Sequence, residues 1–186
     1  MATLQELGLK YNTDKAYFHK FCDDYETFLR GKNISVIVEV GIENGSSLRM
    51  WSGYYPDAKV IGIDICEDKL INEGNITSYF GDQSSPKETI LPYIHGCDLF
   101  IDDGSHLWNH QVNTFEAVFP FMREGSVYIM EDLHTSLLIG SMYDTNTTNP
   151  LEYIKKFVLN NDNISYKLIE NNNQDSLSMI IEKLPF

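Results

Sequence analysis

Asp102, Asp103, His106 and His110 fall within one decapeptide, IDDGSHLWNH at 101–110. Two carboxylates beside two imidazoles can bind a cation, move a proton, or do both. About one helical pitch of residues separates Asp103 from His106 and His106 from His110. The group follows directly on the largely apolar run Cys97 to Ile101. Acids recur in that relation elsewhere: Glu39 in VIVEVG, Asp64 in KVIGIDI, Asp82 after ITSYF, and Glu131 with Asp132 after SVYIM. Like charges crowded at one edge of a fold cost stability unless cations or donors satisfy them.

A sheet whose strands all end on one side would gather these acids. Strand patterns occupy 36–41, 59–65, 76–82, 97–103 and 126–132. Helical patterns lie between or after them, at 46–55, 85–94, 108–122 and 151–160. Strands alternating with helices predict an α/β, Rossmann-like, mostly parallel sheet with helices on both faces. ISYKLIE (164–170) and SLSMIIEK (176–183) read as a closing hairpin with a tight turn in NNNQD (171–175). One of these two strands must then run antiparallel, for seven in all. Upstream, Phe18, Phe21, Tyr25 and Phe28 predict an amphipathic helix over 15–30. The expectation is one domain over 1–186, with a helical cap at 1–33 and the Rossmann-like core at 34–186. Such sheets bind ligands at the carboxyl ends of their strands.

The 186 residues carry 27 acidic and 14 basic side chains, a formal charge of −13. That field repels phosphate backbones and anionic lipid, so nucleic acid and membrane surfaces are poor partners. It suits a site that collects a cation. No apolar run reaches membrane-spanning length, and MATLQELGLKYNTDK has no apolar signal core, so a cytoplasmic protein is expected. Cys22, Cys66 and Cys97 are scattered without a CxxC pair, which argues against a disulfide framework or a thiolate zinc site.

EVGIENGSS (39–47) reads as a strand, a glycine turn and a helix start. Gly41 and Gly45 let backbone approach a ligand, and the turn through Asn44 to Ser46 offers free N–H donors. The GxxxG spacing is not the dinucleotide fingerprint, which speaks against a nicotinamide oxidoreductase. Glu39 would repel a pyrophosphate but could pair with an ammonium group. Asp64 is placed to accept from two ribose hydroxyls. Asp82, with Gln83 beside it, could receive an adenine amino group. Together these suit a ligand with adenosine, no phosphate and a positive amino-acid tail.

The ExGxxxGxS pattern with Asp64 and Asp82 resembles the class I S-adenosylmethionine-dependent methyltransferases, over roughly Val36 to Lys183. IDDGSHLWNHQVNTF with GSVYIMEDLHTS is similar, more narrowly, to the magnesium-dependent O-methyltransferases of macrolide and related deoxysugars. LKYNTDKAY resembles that family's YGTDK-type opening, with Asn12 where glycine is usual; the large extra N-terminal domain of some members has no counterpart here. The resemblance implies S-adenosylmethionine and Mg2+ as cofactors. It places the metal on Asp103, Glu131 and Asp132, makes His106 the general base, and turns Asp102 to the cofactor's methionine end. Three carboxylates at neighbouring strand ends do form a hard-cation site. Asp103 and Asp132 would equally suit helix caps. His110 matches the family's second histidine, though a packing role fits as well. His134, Tyr143 and Asp144, in a long polar and aromatic segment, are candidates for sugar contact.

The implied function is methyl transfer to a sugar hydroxyl on a natural-product glycoside, nucleotide sugar or polysaccharide precursor. A catechol-type O-methyltransferase and a non-catalytic cofactor-binding protein of the same fold are the alternatives. The N-terminal aromatic helix could cover the cofactor or pack on a second subunit, which leaves a homo-oligomer open.

Overall fold

The computed structural model describes residues 2–171 and 175–185. Its strands are β1 (Val36–Val40), β2 (Lys59–Asp64), β3 (Ile76–Phe80), β4 (Leu99–Asp102), β5 (Val127–Met130), β6 (Ile164–Glu170) and β7 (Leu177–Lys183). They form one seven-stranded sheet of order β3-β2-β1-β4-β5-β7-β6. The first five strands pair in parallel, and β7 runs antiparallel to both β5 and β6. The Rossmann-like sheet expected from the sequence is therefore present. The turn expected within 171–175 falls partly on residues 172–174, which lie outside the described residues.

Alternation along each strand builds two cores. Ile37, Val60, Leu99, Ile101, Val127, Ile129 and Ile180 face one layer; Val38, Ile61, Ile63, Phe100, Tyr128, Met130 and Ile181 face the other. On the first face pack α1 (Leu4–Tyr11), α3 (Cys22–Leu29) and α4 (Ser46–Tyr54), through Leu4, Tyr25, Leu48 and Trp51. On the second pack α6 (Trp108–Val118) and α7 (Pro150–Leu159), through Phe115, Val118, Leu151 and Ile154. Short helices α2 (Asp14–Tyr17) and α5 (Pro86–Thr89) complete the set. Among the described residues no helix is long and apolar enough to cross a membrane.

Several helices differ from expectation. The helix expected over 15–30 is two pieces, because the chain breaks at Lys20, which takes φ 58°. Helix α1 was not anticipated. A capping box between Thr3 and Glu6 starts it, and Asn12 ends it at φ 59°. Asparagine tolerates this left-handed region better than most residues, so the turn at Asn12 needs no glycine. Pro92 and Pro120 remove N–H donors, so the helices expected over 85–94 and 108–122 end in 3-10 turns at Leu91–Tyr93 and Phe119–Phe121.

Strand β1 sits between β2 and β4, where the chain order reverses. The two connections leaving this point run to opposite sides, and a crevice opens above the strand ends.

Candidate active site

Gly41 stands at the mouth of that crevice with φ +93°, and a Cβ there would run into the Asp103 carbonyl oxygen. Only glycine lets the turn after β1 pass so close to the loop after β4. Two clefts meet at this point. The larger, about 380 Å³, is lined by the Asn12–Lys15 segment, Asn44, Ser46, Asp103, His106 and Asp132. The smaller, about 180 Å³, is lined by Val40, Ile65, Asp82, Gln83, Ser105 and His110. Gly41, Asp64 and Gly104 border both.

Asp64 is fixed by its own neighbourhood. Its carboxylate accepts N–H bonds from Ile42 at 2.7 Å and Cys66 at 2.8 Å. Asp82 accepts from the Ser84 N–H at 2.7 Å, and that bond holds its carboxyl below the usual range. Asn44 accepts from Ser46 N–H, and Gly45 caps α4 in the left-handed region at φ 79°.

Two of the expected cofactor acids face inward instead. Asp102 is 1% exposed and accepts from Gln83 Nε2 at 2.7 Å and the Tyr128 hydroxyl at 2.9 Å. Burial pushes its carboxyl up to about 6, against those two hydrogen bonds. Gln83 accepts in turn from the Ser105 N–H at 2.8 Å, so its amide brackets the loop from Asp102 to Ser105. Glu39 is 0% exposed, and burial pushes its carboxyl up to about 7. It shares the first face of the sheet with Ile37, which turns it under the N-terminal helices and away from both clefts.

Asp103, His106 and Asp132 each present a ligand atom, and these atoms lie within 4.8 Å of one another. His106 Nε2 is 3.2 Å from Asp132 Oδ2. Asp132 also faces His134 Nδ1 at 3.6 Å and His19 Nε2 at 3.9 Å. Burial and the neighbouring Asp103 charge raise the Asp132 carboxyl, while burial lowers the His134 imidazole. His106 and Asp132 adopt φ 58° and 53°, which cost about 1 kcal/mol or more each for a residue with a side chain.

Glu131 does not join this group. It is 2% exposed, and its Oε2 accepts from Lys15 Nζ at 3.0 Å. The same ammonium donates to Asp103 Oδ2 and stands 3.4 Å from Glu39 Oε1. Burial alone would depress the Lys15 ammonium, but Asp103, Glu131 and Glu39 outweigh it and hold the group well above its ordinary value. Burial likewise lifts Glu131 well above the carboxylate range, with Lys15 opposing.

Of the residues expected at the substrate, His110 borders the smaller cleft, with Nδ1 2.8 Å from Ser105 Oγ. Tyr143 lies 6.5 Å from the His106 ring, centre to centre. Asp144 spends its carboxylate on the N–H groups of Gly140 and Asn146 in its own loop. That loop is tied down where the Trp108 indole donates to Thr135 O and Asn149 Nδ2 to Ser136 O. Lys15 and His19 also face this group of acids, beyond the residues expected there. Lys15 stands in the LKYNTDKAY stretch, the one signal available; for His19 there was none.

No family model matches the chain. It is 32% identical, over 169 residues, to the 8-demethyl-8-α-L-rhamnosyl tetracenomycin-C 2'-O-methyltransferase of Streptomyces olivaceus, covering 83% of this chain and 44% of that protein. With the demethylmacrocin O-methyltransferase of Streptomyces fradiae it shares 37% identity over 149 residues, 74% of this chain and 38% of that one. The chain thus spans under half the length of the curated relatives it matches. The methyltransferase MycE, solved with Mg, S-adenosylhomocysteine (SAH) and mycinamycin VI, superposes with a TM-score of 0.78 at 27% identity, over 98% of this chain and 55% of MycE. The chain has the class I methyltransferase fold and is a relative, in sequence and in structure, of the magnesium-dependent macrolide and deoxysugar O-methyltransferases.

Proposed function

We propose that this chain transfers the methyl group of S-adenosylmethionine to a sugar hydroxyl, with Mg2+ held beside His106. The observation that carries this reading is the meeting of Asp103, His106 and Asp132 at the wall of a cleft that Gly41 and Asp64 share with a second, smaller one. The smaller cleft has the size and lining for an adenine, with Ile65 against its face and Asp82 toward its amino edge. Asp64 at the junction takes the ribose hydroxyls. The methionine end then passes Gly41, Asn44 and Ser46 into the larger cleft. On this assignment His110 serves the cofactor, not the sugar.

The donor set fits the metal. Asp103, Glu131 and Asp132 offer hard oxygen ligands, and Glu131 Oε1 and Asp132 Oδ1 are buried without a hydrogen-bond partner. Those three carboxylates would hold Mg2+, which when bound orients and acidifies a sugar hydroxyl. His106 Nε2 accepts the hydroxyl proton as the oxygen–methyl bond forms and the sulfur–methyl bond breaks, leaving neutral SAH. Asp132 Oδ2, 3.2 Å away, shares that proton. The Gln83–Asp102 bracket keeps the His106 loop in place, and residues 1–33 act as a cap whose Asn12–Lys15 turn shields the cleft from water.

The relatives named above act on a rhamnosyl tetracenomycin and on demethylmacrocin, so a glycosylated natural product is the carrier we propose. The test is methyl transfer from labelled S-adenosylmethionine to a panel of such glycosides. Turnover that stops in EDTA and returns with Mg2+ is expected. Turnover undiminished in EDTA would remove the metal from the reading, and failure to bind SAH would remove the reading altogether.

A further inference from the structure

Lys15 is among the most buried side chains of the molecule, at 1% exposure, yet it carries a charge. Its ammonium contacts three carboxylates from three strand ends: Glu39 of β1, Asp103 after β4 and Glu131 after β5. These contacts are unequal. Asp103 and Glu131 are held at 3.0 Å or less, whereas Glu39 stands off at 3.4 Å, with the Ser47 side chain as its other neighbour. Of the three carboxylates only Asp103 borders a cleft, so Glu39 and Glu131 lie behind it. The backbone of Lys15 is pinned by its N–H to Asp14 Oδ1 and by its carbonyl, which accepts from Phe21 N–H. Only the long side chain is left to move. Three carboxylates against one ammonium leave a formal charge of −2, the complement of a single divalent cation.

We propose that Lys15 is a positioning residue that keeps the place of the divalent metal between Asp103 and Glu131 and withdraws onto Glu39 when the metal binds. This rests on the metal site proposed above. In the metal-free protein the ammonium prevents the carboxylates from repelling one another apart. Metal entry must break the Lys15 contacts to Asp103 and Glu131, and Glu39 offers the displaced ammonium a buried counter-charge. The Lys15–Glu39 pair therefore sets metal affinity.

The test is Mn2+ binding to the full chain in the presence of SAH, read by the electron paramagnetic resonance of free Mn2+. Wild type is compared with Lys15→Met and Glu39→Gln. Lys15→Met removes the competitor, and its Mn2+ dissociation constant should fall on the order of tenfold. Glu39→Gln removes the refuge, and the constant should rise by about as much. A merely structural role for the pair would move both variants in the same direction, which would overturn the proposal, as would no change in Glu39→Gln. If Lys15→Met does not fold without metal, Glu39→Gln alone decides. Wild type that binds no Mn2+ would sink the metal site itself and this inference with it, an outcome visible before any variant is made.

Discussion

The His106 imidazole and the Asp132 carboxylate meet at 3.2 Å from two neighbouring strand ends, each on a left-handed backbone. Two such residues facing each other are held there by the loops around them, at a cost the fold meets elsewhere. The arrangement keeps the imidazole's Nε2 toward the acids and the cleft.

Replacing His106 by Gln should therefore leave SAH binding within about twofold and lower kcat by roughly 10²- to 10⁴-fold, the usual worth of a positioned base. Calorimetry and steady-state rates measured on the same preparation check the two halves. A variant with ordinary kcat would remove His106 from the reaction.

Gly41→Ala should fail on two counts. Alanine at φ +93° is strained, and its methyl meets the Asp103 carbonyl. We expect a loss of about 1–3 kcal/mol in urea unfolding and a large loss of SAH affinity. An alanine variant that binds SAH normally would mean that the cofactor does not pass this turn.

His110→Ala separates the cofactor role from a substrate role. The variant should weaken SAH binding about tenfold while kcat at saturating cofactor changes little. Raised KM for the sugar alone would return His110 to the substrate. Burial keeps this imidazole's pKa below its ordinary value, with Asp82 opposing, so acidification that protonates it should weaken SAH binding in wild type and not in the variant.

The cysteines report on burial. Burial pushes the Cys22 and Cys97 thiols up to about 12, whereas Cys66 is exposed beside Asp64. The thiolate is the attacking species, so at about pH 8 only Cys66 should react with a disulfide reagent in the folded chain, and all three in denaturant. Bound SAH should slow Cys66. Because the folded values lie above the unfolded value near 9.0, the protonated thiols stabilise the fold fully below that pH. That contribution is lost as pH rises toward 12, so the melting temperature should fall beyond pH 9.0 and fall less steeply in Cys97→Ala.

The sheet was legible because its strands carry their own signal: VIVEV, KVIGID and LFID are apolar on both faces, as buried parallel strands must be. The acids at their ends followed from that placement. Which way each acid points did not follow. Glu39 and Asp102 turn away from the clefts because of strand pleating and of partners such as Tyr128, 26 residues distant from Asp102. The aromatic spacing over 15–30 fits one helix or two equally well, and only the fold shows the break at Lys20. The burial of Lys15 was hidden for a plainer reason. Lysine is ordinarily a surface residue, and the carboxylates that bury it lie 88 and 116 positions away.

Those separations have a consequence for synthesis. A ribosome releases Lys15 long before Asp103 and Glu131 exist to receive it, and releases β6 before β7, although β7 must slot between β5 and β6. Met179, Ile180 and Ile181 of β7 are fully buried and serve both cores. The early part of the nascent chain therefore waits, with a charge and two half-built cores exposed, for partners not yet translated. Within this sheet neither core can close until β7 has followed β6, and the apolar strands made before it stay open to misassembly until then.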